Sequence, residues 1–276
     1  FNYLFLFYFD FGGVGCGYAT TILVIIGLLF FWLVTVFSQR YKEANIYGRF
    51  IWPTFSSFIE LFKIGGPISL GVFVELSMFS GAALIIAFFG ATALAAHTIA
   101  INLVGLFFMF PLSLGLASAI RVGNLVGEGN LSQANYATNF SLRASIFIAL
   151  INTIIILLFG SILISFYTTD FEVASLAILL LYYAIIFQIP DAVGFSAIGS
   201  LRGHKDTFGP MVNFVISYWI CALPIGIYFA FSEGKFIPNQ AEGMWFGMIV
   251  GIFISAALNL IRLRKRKREL KKLFKS

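Results

Sequence analysis

The sequence predicts an all-α fold, a polytopic bundle of transmembrane helices, and three observations carry that prediction. Of the residues, 60% are hydrophobic and only 11% are charged, with 34 Phe among them, whereas soluble domains carry about 25% charged residues. Apolar runs recur that meet or exceed the ~20 residues needed to cross a bilayer. The Lys and Arg gather in alternate connecting stretches, which is how membrane helices fix their orientation.

Taken in order, residues 1–11 are aromatic-rich and too short to span. They read as the end of a preceding helix, with Asp10 at a water interface, so the chain is expected to begin inside a longer protein. Gly12-Gly13-Val14-Gly15-Cys16-Gly17 resembles a dinucleotide loop only superficially. No βαβ pattern surrounds it and its third glycine is misplaced. Gly13 and Gly17, four apart, instead suit close helix packing in lipid. The first full helix is expected at 17–37, followed by a polar connector to about residue 60. A second helix is expected at 61–89 with Pro67 in its first turns, and a third at 93–120 with His97, Asn102 and Pro111. A polar loop at 121–133 leads to a fourth helix within 134–166. A fifth covers 171–201 and is interrupted at Pro190-Asp191, because proline removes a backbone hydrogen bond and loosens the turn before it. The charged turn 202–207, a sixth helix at 208–231, a loop at 232–242 and a seventh helix at 243–261 complete the bundle. The domain reading is a helix end and loop at 1–16, one helix and its connector at 17–60, a six-helix unit at 61–262 and a basic tail at 263–276.

Seven crossings put the first connector, the 121–133 loop, the 202–207 turn and the tail on one side. Of the 18 Lys and Arg only Lys235 falls opposite, which predicts that the basic side is cytoplasmic. The net charge of +6 is concentrated there, so the tail reads as an anchor on anionic lipid and nucleic acid is not an expected partner. The two cysteines, Cys16 and Cys221, have no metal-ligand spacing and read as small packing residues.

Two carboxylates fall deep inside apolar runs. Glu75 is the only carboxylate between Lys63 and Arg121, and Asp191 lies within the fifth helix. Each is about a dozen residues from the basic end of its helix, which at ~1.5 Å per residue is about 16–18 Å deep, near the midplane. A charge there costs roughly 2.5–3.5 kcal/mol by insertion scales. A pair at equal depth, with no basic partner inside the membrane, can share one proton or offer its oxygens to Na⁺. The plainer alternative is that each is a protonated, hydrogen-bonded packing residue, or that one of them lines a minor cavity. Pro190 would free backbone oxygens beside Asp191, which serve as cation ligands in broken transporter helices. His97 reads as a packing or capping residue or as a participant in proton handling. The amide of Asn102 is placed to reach a neighbouring helix.

Ile64-Gly65-Gly66-Pro67-Ile68, Phe73-Val74-Glu75 and Ala95-Ala96-His97-Thr98-Ile99-Ala100-Ile101-Asn102 together resemble the multidrug and toxin extrusion (MATE) transporters of the NorM-type branch. Pro111-Leu112-Ser113-Leu114-Gly115, Ile120-Arg121-Val122-Gly123-Asn124 and Leu201-Arg202-Gly203-His204-Lys205-Asp206-Thr207 extend the resemblance over nearly the whole chain. It implies one six-helix MATE lobe plus one preceding helix, the other lobe of the same protein being a missing partner. It also implies export of small cationic, amphipathic compounds from the bacterial inner membrane, driven by inward Na⁺ or H⁺, with no cofactor and no enzyme activity. The family's second-lobe cation site would fall on Glu75 and Asp191, which would be Na⁺ ligands in a Na⁺-coupled member. A Tyr that contributes in some members is replaced here by Phe187, which removes a hydroxyl ligand.

Other functions fit less well. A flippase for lipid-linked precursors would favour several arginines in its cleft, and no Arg lies mid-helix. Intramembrane aspartyl proteolysis needs two Asp, where here one acid is Glu75. A purely structural membrane scaffold would leave both acids without a purpose.

Overall fold

The computed structural model describes residues 3–9, 11–38, 48, 52–232 and 240–273. Asp10, Arg40, Lys42, Arg49, Lys235 and Lys275, on which part of the charge reading rests, lie outside them. The described residues form seven helices long and apolar enough to cross a membrane: α1 (Gly12–Phe37), α2 (Phe55–Ala87), α3 (Ala91–Gly127), α4 (Leu131–Ser165), α5 (Phe171–Gly203), α6 (Phe208–Ala230) and α7 (Gln240–Lys272). The protein is therefore an all-helical, multi-pass membrane protein, as its composition required.

The chain divides into two compact units, Phe1–Phe58 and Ile59–Ser276. In the first, a single wide helical turn at Leu4–Tyr8 precedes α1, and the rings of Phe5, Phe9, Phe11 and Tyr18 gather there. The close approach is at Gly15, where a Cβ would lie 2.8 Å from the carbonyl oxygen of Phe5. Gly13 and Gly17, the expected packing pair, have open space around them.

The second unit is built around α5, which packs against α3, α4 and α7. Without a hydrophobic force between helices in lipid, close packing needs small residues that let backbones approach. A Cβ at Gly199 of α5 would collide with the carbonyl of Gly115 on α3. Nearby, Ser118 and Ser200 share a buried hydrogen bond of 2.9 Å, and Ser141 and Ser196 link α4 to α5 at 2.6 Å. α2 buries one seam, Gly71, Val74, Met78, Ala82 and Ile86, spaced three to four apart as one helix face must be.

Several expectations about boundaries are corrected. α1 begins at Gly12 rather than residue 17, and α2 begins at Phe55, inside the expected connector. Most of 121–133 is helix, because α3 continues past the apolar core into a polar turn; only Glu128–Asn130 separate it from α4. Asn130 caps α4 by accepting from the backbone N–H of Gln133 at 3.2 Å. The basic tail is likewise helical to Leu273. Lys, Arg, Glu and Leu are good helix formers, and Leu263 and Leu270 on one face are buried. Finally, α5 runs unbroken through Pro190. The irregular backbone lies in α6 instead, where Val215–Ala222 winds in wide π turns between two α-helical segments.

Candidate functional site

Glu75 sits on the inner side of α2, flanked by the buried Val74 and Met78. Asp191 sits on α5 beside Pro190, where both are half-buried. The fold brings them within electrostatic reach: Asp191 is among the charges that act on Glu75. Among the described residues neither carboxylate takes part in a side-chain hydrogen bond or an ion pair. Their surroundings hold a group that sequence reasoning passed over. Tyr218, 2% exposed in the π segment of α6, feels both acids and lies near Ser255 of α7. A small cavity beside Asp191 is lined by Pro190, Gly194, Tyr218, Ser255 and Phe214. Two carboxylates, a phenol and an aliphatic hydroxyl from α2, α5, α6 and α7 thus share one neighbourhood. These are oxygen donors only, which suit a hard cation or a proton rather than a soft metal. A wide turn at a polar site is a recurrent feature of helices that carry function.

The acids also have a basic neighbour inside the bundle, contrary to expectation. α5 extends to Gly203, so Arg202 belongs to its last turn rather than to a solvated loop. It is half-buried and lines a second cavity with Pro67, Gly71, Thr207 and Phe214. From there its charge reaches Glu75.

The remaining candidates are placed elsewhere. His97, 3% exposed, accepts a 3.1 Å hydrogen bond at Nδ1 from the indole N–H of Trp245. An accepting Nδ1 carries no proton, so the ring is neutral. Phe187 stacks on the same Trp245 with ring centroids 6.2 Å apart. Phe187 of α5 and His97 of α3 therefore form a buried aromatic cluster with Trp245 of α7. Asn102 is exposed on α3 and, among the described residues, its amide reaches no neighbouring helix. Amides that do cross between helices are Asn152 of α4, whose side-chain N–H₂ donates to the carbonyl of Phe107 at 3.1 Å, and Asn213 of α6, which donates to Asn259 of α7 at 2.9 Å. At the end of α5 away from Arg202, Tyr183 donates to Glu242 at 3.1 Å.

Seven apolar helices, six of them in one compact unit, define a multi-pass integral membrane protein. Residues 67–228 match the family model MatE, and the chain belongs to that family. It is 35% identical over 252 residues to the multidrug resistance protein NorM of Vibrio vulnificus strain YJ016, covering 91% of this chain and 55% of that protein. It is 37% identical over 252 residues to NorM of Vibrio cholerae serotype O1, covering 90% and 55%. The chain thus spans about half the length of the curated relatives it matches. Its fold is that of the eukaryotic MATE transporter AtDTX14, with a TM-score of 0.84 at 19% identity over 99% of this chain and 61% of that one.

Proposed function

We propose that this chain forms the cation-coupling part of a multidrug exporter that works by alternating access, moving small cationic, amphipathic compounds outward while Na⁺ or H⁺ flows inward. The observation that carries the reading is the pairing of Glu75 and Asp191 in one neighbourhood of the bundle, joined there by Tyr218. Two carboxylates in a medium of low dielectric repel strongly, so the pair holds a single positive charge, either a proton or Na⁺. Exchange of that charge for a cationic drug couples the two fluxes. The hydroxyls of Tyr218 and Ser255 offer oxygen ligands where Phe187 offers none. In this reading the basic face lies in the cytoplasm of a bacterial inner membrane, and a second lobe of the same protein supplies the other wall of the drug cleft.

The test uses the complete transporter in proteoliposomes under an imposed Na⁺ or H⁺ gradient. Glu75→Gln and Asp191→Asn should each lower ion-driven drug efflux at least 100-fold, equivalent to about 2.7 kcal/mol, while insertion is unchanged or improved because a neutral isostere is easier to bury. Normal gradient-driven efflux in either variant would reject the reading.

A further inference from the structure

Arg202 is unusual among the cations near it. Arg262 is paired with Asp206 at 2.6 Å, Arg266 with Glu269 at 3.4 Å, and Lys267 donates to Asn139 at 3.1 Å. Among the described residues the guanidinium of Arg202 has neither an ion pair nor a side-chain hydrogen bond, although it is half-buried. The cavity it lines holds about 10 Å³, room for about one water. Gly71 lies on the α2 wall of that cavity, one turn before Glu75, and residues four apart share a helix face. On the opposite wall stands Phe214, 2% exposed, which also bounds the cavity beside Asp191. One ring therefore stands between the cavity beside Asp191 and the space that Arg202 lines. Gly71 faces that ring, since a Cβ there would lie 3.3 Å from its Cδ2.

We propose that Arg202 is the internal counter-charge of the coupling site: when the cation leaves toward the basic face, the guanidinium moves past Phe214 and takes its place beside Glu75. The proposal rests on the cation-coupling reading above. A carboxylate left bare in a dry site is costly, and the guanidinium cannot solve the problem by losing its proton. Its long side chain is tied to no other acid, so it is available to move. The same positive charge repels an arriving cation. At ~10 Å separation and an effective dielectric of about 20, that repulsion weakens binding by about 10-fold. Arg202 would thus be a positioning residue that sets how readily the ion is released.

The experiment is ²²Na⁺ binding to this 276-residue chain in lipid nanodiscs, with thermal melting as a check on folding. Arg202→Gln should bind Na⁺ about 10-fold tighter and release it more slowly, whereas Arg202→Lys should stay close to wild type. Adding Arg202→Gln to Glu75→Gln should produce no gain. A residue that merely holds the structure would weaken binding when removed, so the direction of the change is decisive. Unchanged or weaker binding in a folded Arg202→Gln chain overturns the proposal, as does absence of Na⁺ binding in both wild type and Arg202→Gln. Either result leaves the coupling reading to stand or fall on the efflux of Glu75→Gln and Asp191→Asn.

Discussion

At the scale of single residues, the most exposed consequence of burial lies just outside the membrane spans, at His204. It is 3% exposed and donates from Nδ1–H to the carbonyl of Ser200 at 2.6 Å. Burial pushes its pKa below the ordinary value, and the charges of Lys267 and Arg266 push the same way, against the Ser200 hydrogen bond and Asp206. In the unfolded chain the imidazole returns to about 6.5, so below that pH the unfolded state takes up the proton more readily. Stability from this residue is thus fully present above about pH 6.5 and is lost as pH falls through the lower folded value. Melting temperature in detergent should fall between pH 7 and pH 5, and fall less in His204→Asn, whose amide can keep a donor near Ser200. Equal slopes for the two proteins would reject this account. The contrast with the coupling site shows what residue-level reading can find. Glu75 and Asp191 were legible because an acid in an apolar run is conspicuous. Tyr218 was not, because one Tyr in an aromatic-rich chain carries no sign of what it faces. Arg202 stands next to a charged turn and looks solvated until the helix is seen to continue around it.

At the scale of elements, the wide turns of α6 lie between Pro224 and a close helix–helix contact. Val215–Ala222 itself contains neither Pro nor Gly, but Pro224 just beyond it has no N–H to give the carbonyl of Ile220, which lies inside the segment. The glycines lie on the partner helix, α7, at Gly243, Gly247 and Gly251, four residues apart. A Cβ at Gly247 would collide with the backbone of Gly226, and one at Gly251 would lie 2.9 Å from the carbonyl oxygen of Ser217. This seam brings α7 close enough for Ser255 to meet Tyr218. It has the same four-residue spacing that drew attention to Gly13 and Gly17. Spacing alone cannot distinguish a glycine that touches a neighbour from one that does not. Gly247→Val should therefore destabilise the protein by about 1–3 kcal/mol or more through overpacking, and should weaken cation binding by displacing Ser255. Gly17→Val should leave both unchanged. A scan of melting temperature and ²²Na⁺ binding across these two variants tests the assignment, and equal effects would defeat it. Pro190 teaches the converse lesson. The sequence shows a missing donor, but α5, packed against α3, α4 and α7, stays helical through it.

At the scale of the whole molecule, the number of crossings was legible because apolar length and charge asymmetry are independent signals that agreed. Helix ends were less so, because a helix does not stop where lipid does: α3 and α7 run on through polar sequence. The consequence is a sharp expectation for sidedness. α4 joins the Glu128–Asn130 turn to the Thr168–Asp170 turn, so these two must lie on opposite faces of the membrane. Ser132 and Lys205 are exposed near the basic connections, and Thr169 is exposed at the other end. Since Lys and Arg gather on the cytoplasmic side, Ser132→Cys and Lys205→Cys in an otherwise cysteine-free background should react with an impermeant maleimide only in inverted vesicles. Thr169→Cys should react in intact cells. The basic face carries Arg202 and the tail helix, so the same experiment fixes the direction in which the counter-charge would expel the ion. Labelling of Thr169→Cys from the cytoplasm alone would invert both the topology and the proposed inward flow.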